Sequence, residues 1–255
     1  MSVSLAKKTI AKFLETDVPE VICITGKWGV GKTYAWKTFF GELSAEGKIK
    51  LPYYSYVSLF GISSVDELRQ TIFEDRTSSN NVELSPTLDS LREKVKQYYD
   101  TALQKVSRTS KYAKIPYVEN YLNNFSGGFR HIMSLTVKDA IVCFDDFERK
   151  GKGLRTADVL GVISQLKETK ECKIVVILND DALSEEDKPD FEKYFEKVVD
   201  AKIEFAPTAE ESVEIALRGT DNLHGWLRSA CIDLNISNIR IIKKIERLAV
   251  QVGEL

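Results

Sequence analysis

The segment "VICITGKWGVGKTYAW", Val21 to Trp36, constrains the fold more than any other part of the chain. An apolar, β-branched run ends at Gly26, glycines recur at Gly29 and Gly31, and Lys32 and Thr33 lead straight into a helical pattern. Gly26, Gly31, Lys32 and Thr33 satisfy G-x-x-x-x-G-K-[ST] in the setting the motif needs, after a strand and before a helix. Glycines let the backbone curl until successive N–H groups and the helix N-terminus point at one anion. Lys32 adds a mobile charge suited to β- and γ-phosphates, and the Thr33 hydroxyl is a hard oxygen suited to Mg2+. Lys27, Trp28, Gly29, Val30 and Tyr34 complete the expected nucleotide-binding set. Lys27 also reads as a solvated loop charge, and Trp28 as a ring packed on the loop or a neighbouring helix.

Other apolar runs extend this unit into a sheet. "AIVCF" (Ala140 to Phe144) and "KIVVIL" (Lys173 to Leu178) are short and unbroken, as strands covered on both faces require. "YYSYVSLFG" (Tyr53 to Gly61) and "AKIEF" (Ala201 to Phe205) read as strands nearer the edges. Helical patterns lie between them at Lys32 to Glu46, Ser64 to Glu74, Thr156 to Glu168 and Phe191 to Val199. The alternation predicts an α/β fold with a mainly parallel five-stranded sheet. The interval before "AIVCF" is too long for one crossover helix, so residues 75–138 read as a helical insertion in a core spanning 1–206. Residues 207–255 read as a lid of three amphipathic helices, the first opened by the capping box "TAEE". The pattern breaks off without a cap, an expectation that further domains follow.

Composition excludes several classes. With 43% hydrophobic and 29% charged residues and no apolar run near the ~18 of a membrane span, the chain reads as a soluble protein without membrane spans. The N-terminus lacks the long apolar core of a secretory signal, which makes the cytoplasm the default location. Cys23, Cys143, Cys172 and Cys231 form no C-x-x-C pair and read as buried structural thiols. Two isolated histidines, His131 and His224, offer neither a zinc site nor a histidine-based triad.

The second chemical signal is "AIVCFDDFERKG". It sets Asp145 and Asp146 at the C-terminal end of a buried strand, the edge where doubly wound sheets bind ligands. Asp145 is placed to hold Mg2+ opposite Thr33, and Asp146 to orient or deprotonate a water, with Glu148 competing for that second role. Arg149 reads either as a structural ion pair or as an arginine for a γ-phosphate, its own or a neighbouring subunit's. "KIVVILNDD" ends in Asn179. If right-handed crossovers insert that strand between the phosphate-loop strand and the acid strand, Asn179 comes to the γ-phosphate and the water. Its alternative is a turn cap.

These residues resemble the KAP-type P-loop NTPases and the wider STAND and AAA+-related ATPases. The resemblance rests on "GKWGVGKT", "YVSLFGISSVDELRQTIF", "DDFER", "VVILNDD" and "FEKYFEKVVDAKIEFAPT". It implies Asn179 as sensor, Asp145 as the Mg2+ carboxylate, Asp146 as the water-activating partner, and Arg240 in "SNIRIIKK" as a lid residue touching nucleotide. Such families further imply ATP as ligand, homo-oligomers, a protein effector or sensor partner, and membership of larger bacterial signalling or anti-phage defence proteins. Lys27 departs from related loops, and the insertion lacks the membrane spans many KAP proteins carry there. The resulting expectation is a Mg2+-dependent ATPase serving as a switch or oligomerisation module. A nucleic-acid-binding loader is the alternative, motivated by the acid-free run with Lys105, Arg108, Lys111 and Lys114.

Overall fold

The computed structural model describes residues 2–79 and 137–253. Its centre is a sheet of β1 (Val21–Thr25), β2 (Tyr53–Ser58), β3 (Thr77–Ser78), β4 (Ala140–Asp145), β5 (Lys173–Leu178) and β6 (Ala201–Glu204), in the order β3-β2-β4-β5-β1-β6. Every pair is parallel except β2 with β3. All residues of β1, β4 and β5 are buried, so their unbroken apolar character reflects helices on both faces. β6 buries only Ile203 and lies at the edge.

On one face pack α1 (Val3–Leu14), whose N-cap is Ser2, and α2 (Lys32–Ala45). Trp36 and Phe40 of α2 are fully buried against Tyr54, and the Trp36 indole donates to the Tyr54 hydroxyl at 2.8 Å. The other face carries α3 (Val65–Glu74), α4 (Thr156–Lys170) and α5 (Lys188–Val198) around Phe144, Phe147, Leu160 and Ile174. A separate small core of Val213, Ala216, Leu217, Cys231 and Ile242 joins α6 (Ala209–Ala216), α7 (Asn222–Asp233) and α8 (Ile239–Gly253). The expected capping box is present: Thr208 accepts from Glu211 N, and Glu211 accepts from Thr208 N.

The sheet has six strands where five were expected. β3 falls in the polar stretch read as the opening of the insertion, and two residues are too short to carry an alternating pattern. β2 stops at Ser58, before the predicted Gly61, because the chain turns there with Gly61 at φ +86° and Phe60 forms a lone bridge with Lys150. α5 begins at Lys188 because Pro189, with its fixed φ and missing N–H, fits a helix's first turn. The expected helices near Asp89 to Ser107 and Val118 to Leu135, and the basic run Lys105 to Lys114, lie outside the described residues. All four cysteines are free and buried. Among the described residues no helix is long and apolar enough to cross a membrane.

Candidate nucleotide site

β1 delivers the glycine loop to the C-terminal edge of the sheet, and α2 starts at Lys32 directly behind it. The Lys32 ammonium donates to the loop's own carbonyls, Gly26 O at 2.6 Å and Lys27 O at 3.1 Å. Burial lowers its proton affinity, opposed by the charges of Glu148, Asp145 and Asp180. Lys27 contributes that carbonyl while its side chain is exposed; Val30 is buried beneath the loop. Tyr34 is exposed, and its hydroxyl accepts from Arg218 at 2.9 Å.

β4 lies two strands away from β1, with β5 between them, the order on which Asn179's placement depended. Asp145, 4% exposed, uses Oδ2 to accept from the Thr33 hydroxyl at 2.7 Å and the Tyr56 hydroxyl at 2.6 Å. Its Oδ1 accepts from Asp146 N at 2.8 Å. The next residue turns sharply: Asp146 sits at φ +54°, and this left-handed step swings its carboxylate towards β2. There it accepts from the Ser58 hydroxyl at 3.0 Å and from Arg149 at 3.3 Å. Arg149 also lies over the Phe60 ring, 4.1 Å from its centroid. Glu148 accepts from the Trp28 indole N–H at 2.7 Å through Oε1, and its Oε2 is buried without a partner. Asn179, at the end of β5, is buried with its side-chain carbonyl oxygen also unpartnered.

A cleft of about 240 Å³ opens between these groups, lined among others by Lys32, Thr33, Asp145, Asp146, Glu148 and Arg240. Asn179 is near it only by strand position; the lining there comes from the preceding Leu178. The lid closes one side, because Asn238 donates to Trp28 O at 2.9 Å and Ile239 N donates to Gly29 O at 2.8 Å.

Sequence reasoning overlooked Tyr56, Ser58, Phe60, Arg218 and Asn238. Tyr56 and Ser58 carried part of a signal, since residues two apart on a strand share a face; the register that sets Ser58 beside Asp145 is known only from the fold. Asn238 carried another, an asparagine just before an apolar helical period. Arg218 and Phe60 have none.

The residues fit Mg2+. Among the described residues no cluster of three or more His, Cys, Asp or Glu could hold a metal. One hydroxyl and one carboxylate, Thr33 and Asp145, suit an ion that draws its other ligands from water and phosphate.

No curated protein matches the chain significantly. Among solved structures it is similar to the Aeropyrum pernix ORC2 protein, solved as ADPNP-ADP complexes, at TM-score 0.57 and 14% identity over 98% of this chain and 62% of that one. It is also similar to Cdc6p from Pyrobaculum aerophilum, at TM-score 0.48 and 14% identity over 99% of this chain and 61% of that one. The chain thus spans about three fifths of each of these two structures. The first likeness is one of fold, a mostly parallel α/β sheet with helices on both faces. The KAP family P-loop domain matches residues 4–252, nearly the whole sequence, and the chain belongs to that family.

Proposed function

We propose that the cleft binds ATP with Mg2+ and hydrolyses it, and that the protein uses the cycle as a conformational switch or oligomerisation module. The observation that carries this reading is Glu148. Of the two candidate bases after β4, Asp146 spends both oxygens on Ser58 and Arg149, whereas Glu148 keeps a buried Oε2 with no partner. An acceptor left open in this way calls for a water or a catalytic role. Glu148 Oε2 takes the proton as the water oxygen attacks the γ-phosphorus and the bond to the bridging oxygen of ADP breaks, with Asn179, at the neighbouring strand end, as the sensor of the γ-phosphate that the family resemblance implies. Asp146, held by Ser58 and Arg149, shapes the turn that presents Glu148.

Thr33 and Asp145 would hold Mg2+, which when bound neutralises charge on the β- and γ-phosphates. Lys32 leaves the Gly26 and Lys27 carbonyls for those phosphates, whose oxygens replace the acceptors it now uses. Backbone N–H groups from Trp28 to Thr33 complete the cradle, Tyr34 borders it, and Arg240 approaches from the lid. Adenine nucleotides are the ligands of the ORC2 complexes, and adenine is the base proposed here. A role within a larger bacterial signalling or defence protein, with a cytoplasmic location, follows from the family resemblance.

Turnover by variants tests the reading. Glu148→Gln is expected to lower kcat roughly 10²–10⁴-fold, the contribution of a general base, while nucleotide still binds. Asp146→Asn should fall less. A wild type that hydrolyses neither ATP nor GTP, or an Asp146→Asn variant more impaired than Glu148→Gln, refutes it.

A further inference from the structure

We infer that Trp28 is a positioning residue that makes the placement of Glu148 depend on whether the lid is docked; this rests on the reading of Glu148 as the group facing the attacking water. Three contacts form one continuous path. At the lid end, Asn238 and Ile239 hold two successive carbonyls of the loop tip, Trp28 O and Gly29 O. Fixing consecutive carbonyls fixes the peptide planes on both sides of Gly29, and with them the direction in which the Trp28 side chain leaves the backbone. At the far end, the indole N–H holds Glu148 Oε1 at 2.7 Å.

The Trp28 ring stands at the mouth of the cleft beside Glu148. Trp28 is 53% exposed, so it is not a core residue, and the indole N–H goes to Glu148. Gly29 matters for the opposite reason. A Cβ there would lie 2.2 Å from Asn238 Oδ1, and the residue sits at φ +81°, so glycine is what allows the lid to approach this closely. The same glycine, free of a Cβ and at positive φ, gives the tip room to turn once the lid withdraws and those two hydrogen bonds are lost. The Glu148 carboxylate then loses the donor that directs its open Oε2. Asn238 has a second duty that allows the parts to be separated: its Oδ1 caps α8 by accepting from Ile241 N, while its Nδ2 serves Trp28 O.

The protein labelled with 15N-tryptophan tests this without reference to hydrolysis. Its three indole N–H groups are distinct in environment: Trp28 on Glu148, Trp36 on Tyr54, and Trp226 exposed. Asn238→Asp keeps the oxygen that caps α8 but lacks the donor to Trp28 O. It is expected to move the Trp28 indole resonance in the same direction as Glu148→Ala does, with Trp36 and Trp226 unmoved, although residue 238 is bonded to the Trp28 carbonyl and the indole N–H to Glu148. In turnover, Trp28→Phe should lower kcat by roughly 10- to 100-fold, the scale of a misplaced reacting group, with KM for ATP little changed. A Trp28 resonance indifferent to both Asn238→Asp and Asn238→Ala overturns the inference, as does a Trp28→Phe variant that raises KM and leaves kcat intact. If the resonance responds as expected while Glu148→Gln turns over normally, the coupling stands and the role given to Glu148 falls.

Discussion

Tyr56→Phe removes one oxygen and no volume, which makes it a sharp probe of the acid strand. The Tyr56 hydroxyl is one of three donors on the Asp145 carboxylate, sharing Oδ2 with Thr33, while Asp146 N holds Oδ1. The ring stays under the Lys37 ammonium, 4.0 Å from its centroid, so the cation–π contact survives the substitution. The loss is therefore one hydrogen bond to a buried charged acceptor, about 1.5–3 kcal/mol. Each kcal/mol lowers Tm by about 2–4 °C in a domain near this size, which predicts a fall of about 3–12 °C without ligands. With Mg2+ and nucleotide present the effect should be of a different kind. On the proposed reading the ion would engage the Thr33 hydroxyl, leaving Tyr56, among the described residues, as the side-chain donor that orients Asp145 Oδ2. Losing such an outer partner typically costs 10–100-fold in metal affinity, so the Mg2+ concentration that half-maximally raises Tm at fixed ATP analogue should rise by about that factor. Thermal melts across a Mg2+ titration, for wild type and Tyr56→Phe, measure both quantities. A variant that melts within about 1 °C of wild type, well below the span of one charged hydrogen bond, with an unchanged Mg2+ midpoint refutes the argument.

Two further outcomes follow from networks away from the cleft. Lys150, 6% exposed, is paired with Asp187, which also accepts from Thr156 and Ser184, tying the segment after β4 to the start of α5. Lys150→Met strands a half-buried carboxylate that keeps two hydroxyl donors, so about 1–3 kcal/mol is expected, the cost of removing one partner of a charged hydrogen bond, read as a lower Tm. Burial raises the Asp187 proton affinity, but the hydrogen bonds from Lys150, Thr156 and Ser184 outweigh it and the pKa is lowered. Its stabilisation is present above the unfolded carboxylate's pKa and is lost as pH falls through the lower folded value, so the Lys150→Met deficit should shrink in acid. In the lid, His224 is flanked by Asp221 on Nδ1 at 2.8 Å and Glu246 on Nε2 at 3.2 Å, two acceptors that only the doubly protonated ring satisfies together. The Asp221 hydrogen bond, against burial and with help from Glu246, raises its pKa. This link between α7 and α8 is complete below the unfolded histidine value of about 6.5 and is lost as pH rises through the folded one. An NMR titration of the His224 ring with a midpoint at or below that of a free histidine would contradict it.

Much of this protein was open to reading from the chain alone, because the signals involved are local. A phosphate loop needs particular residues at fixed spacing between a strand and a helix, and buried parallel strands announce themselves as unbroken apolar runs. Hence β1, β4 and β5, the helices between them, the capped helix after β6 and the order that sets β5 and Asn179 between loop and acid strands all followed from short windows and the handedness of crossovers. What the tertiary structure decided is how those pieces spend their polar atoms. Thr33 and Tyr56 meet Asp145 across 112 and 89 positions, and Trp28 meets Glu148 across 120 and Asn238 across 210. No periodicity records such pairings. The positive φ of Asp146, which turns one acid towards Ser58 and leaves the other with an open oxygen, belongs to a single backbone step between strand and turn. The sequence by itself determined that phosphate loop and acid strand would share one sheet edge; only the packed chain determined which acid keeps an open oxygen, and that the tryptophan bonded to it is itself held at its carbonyl by Asn238.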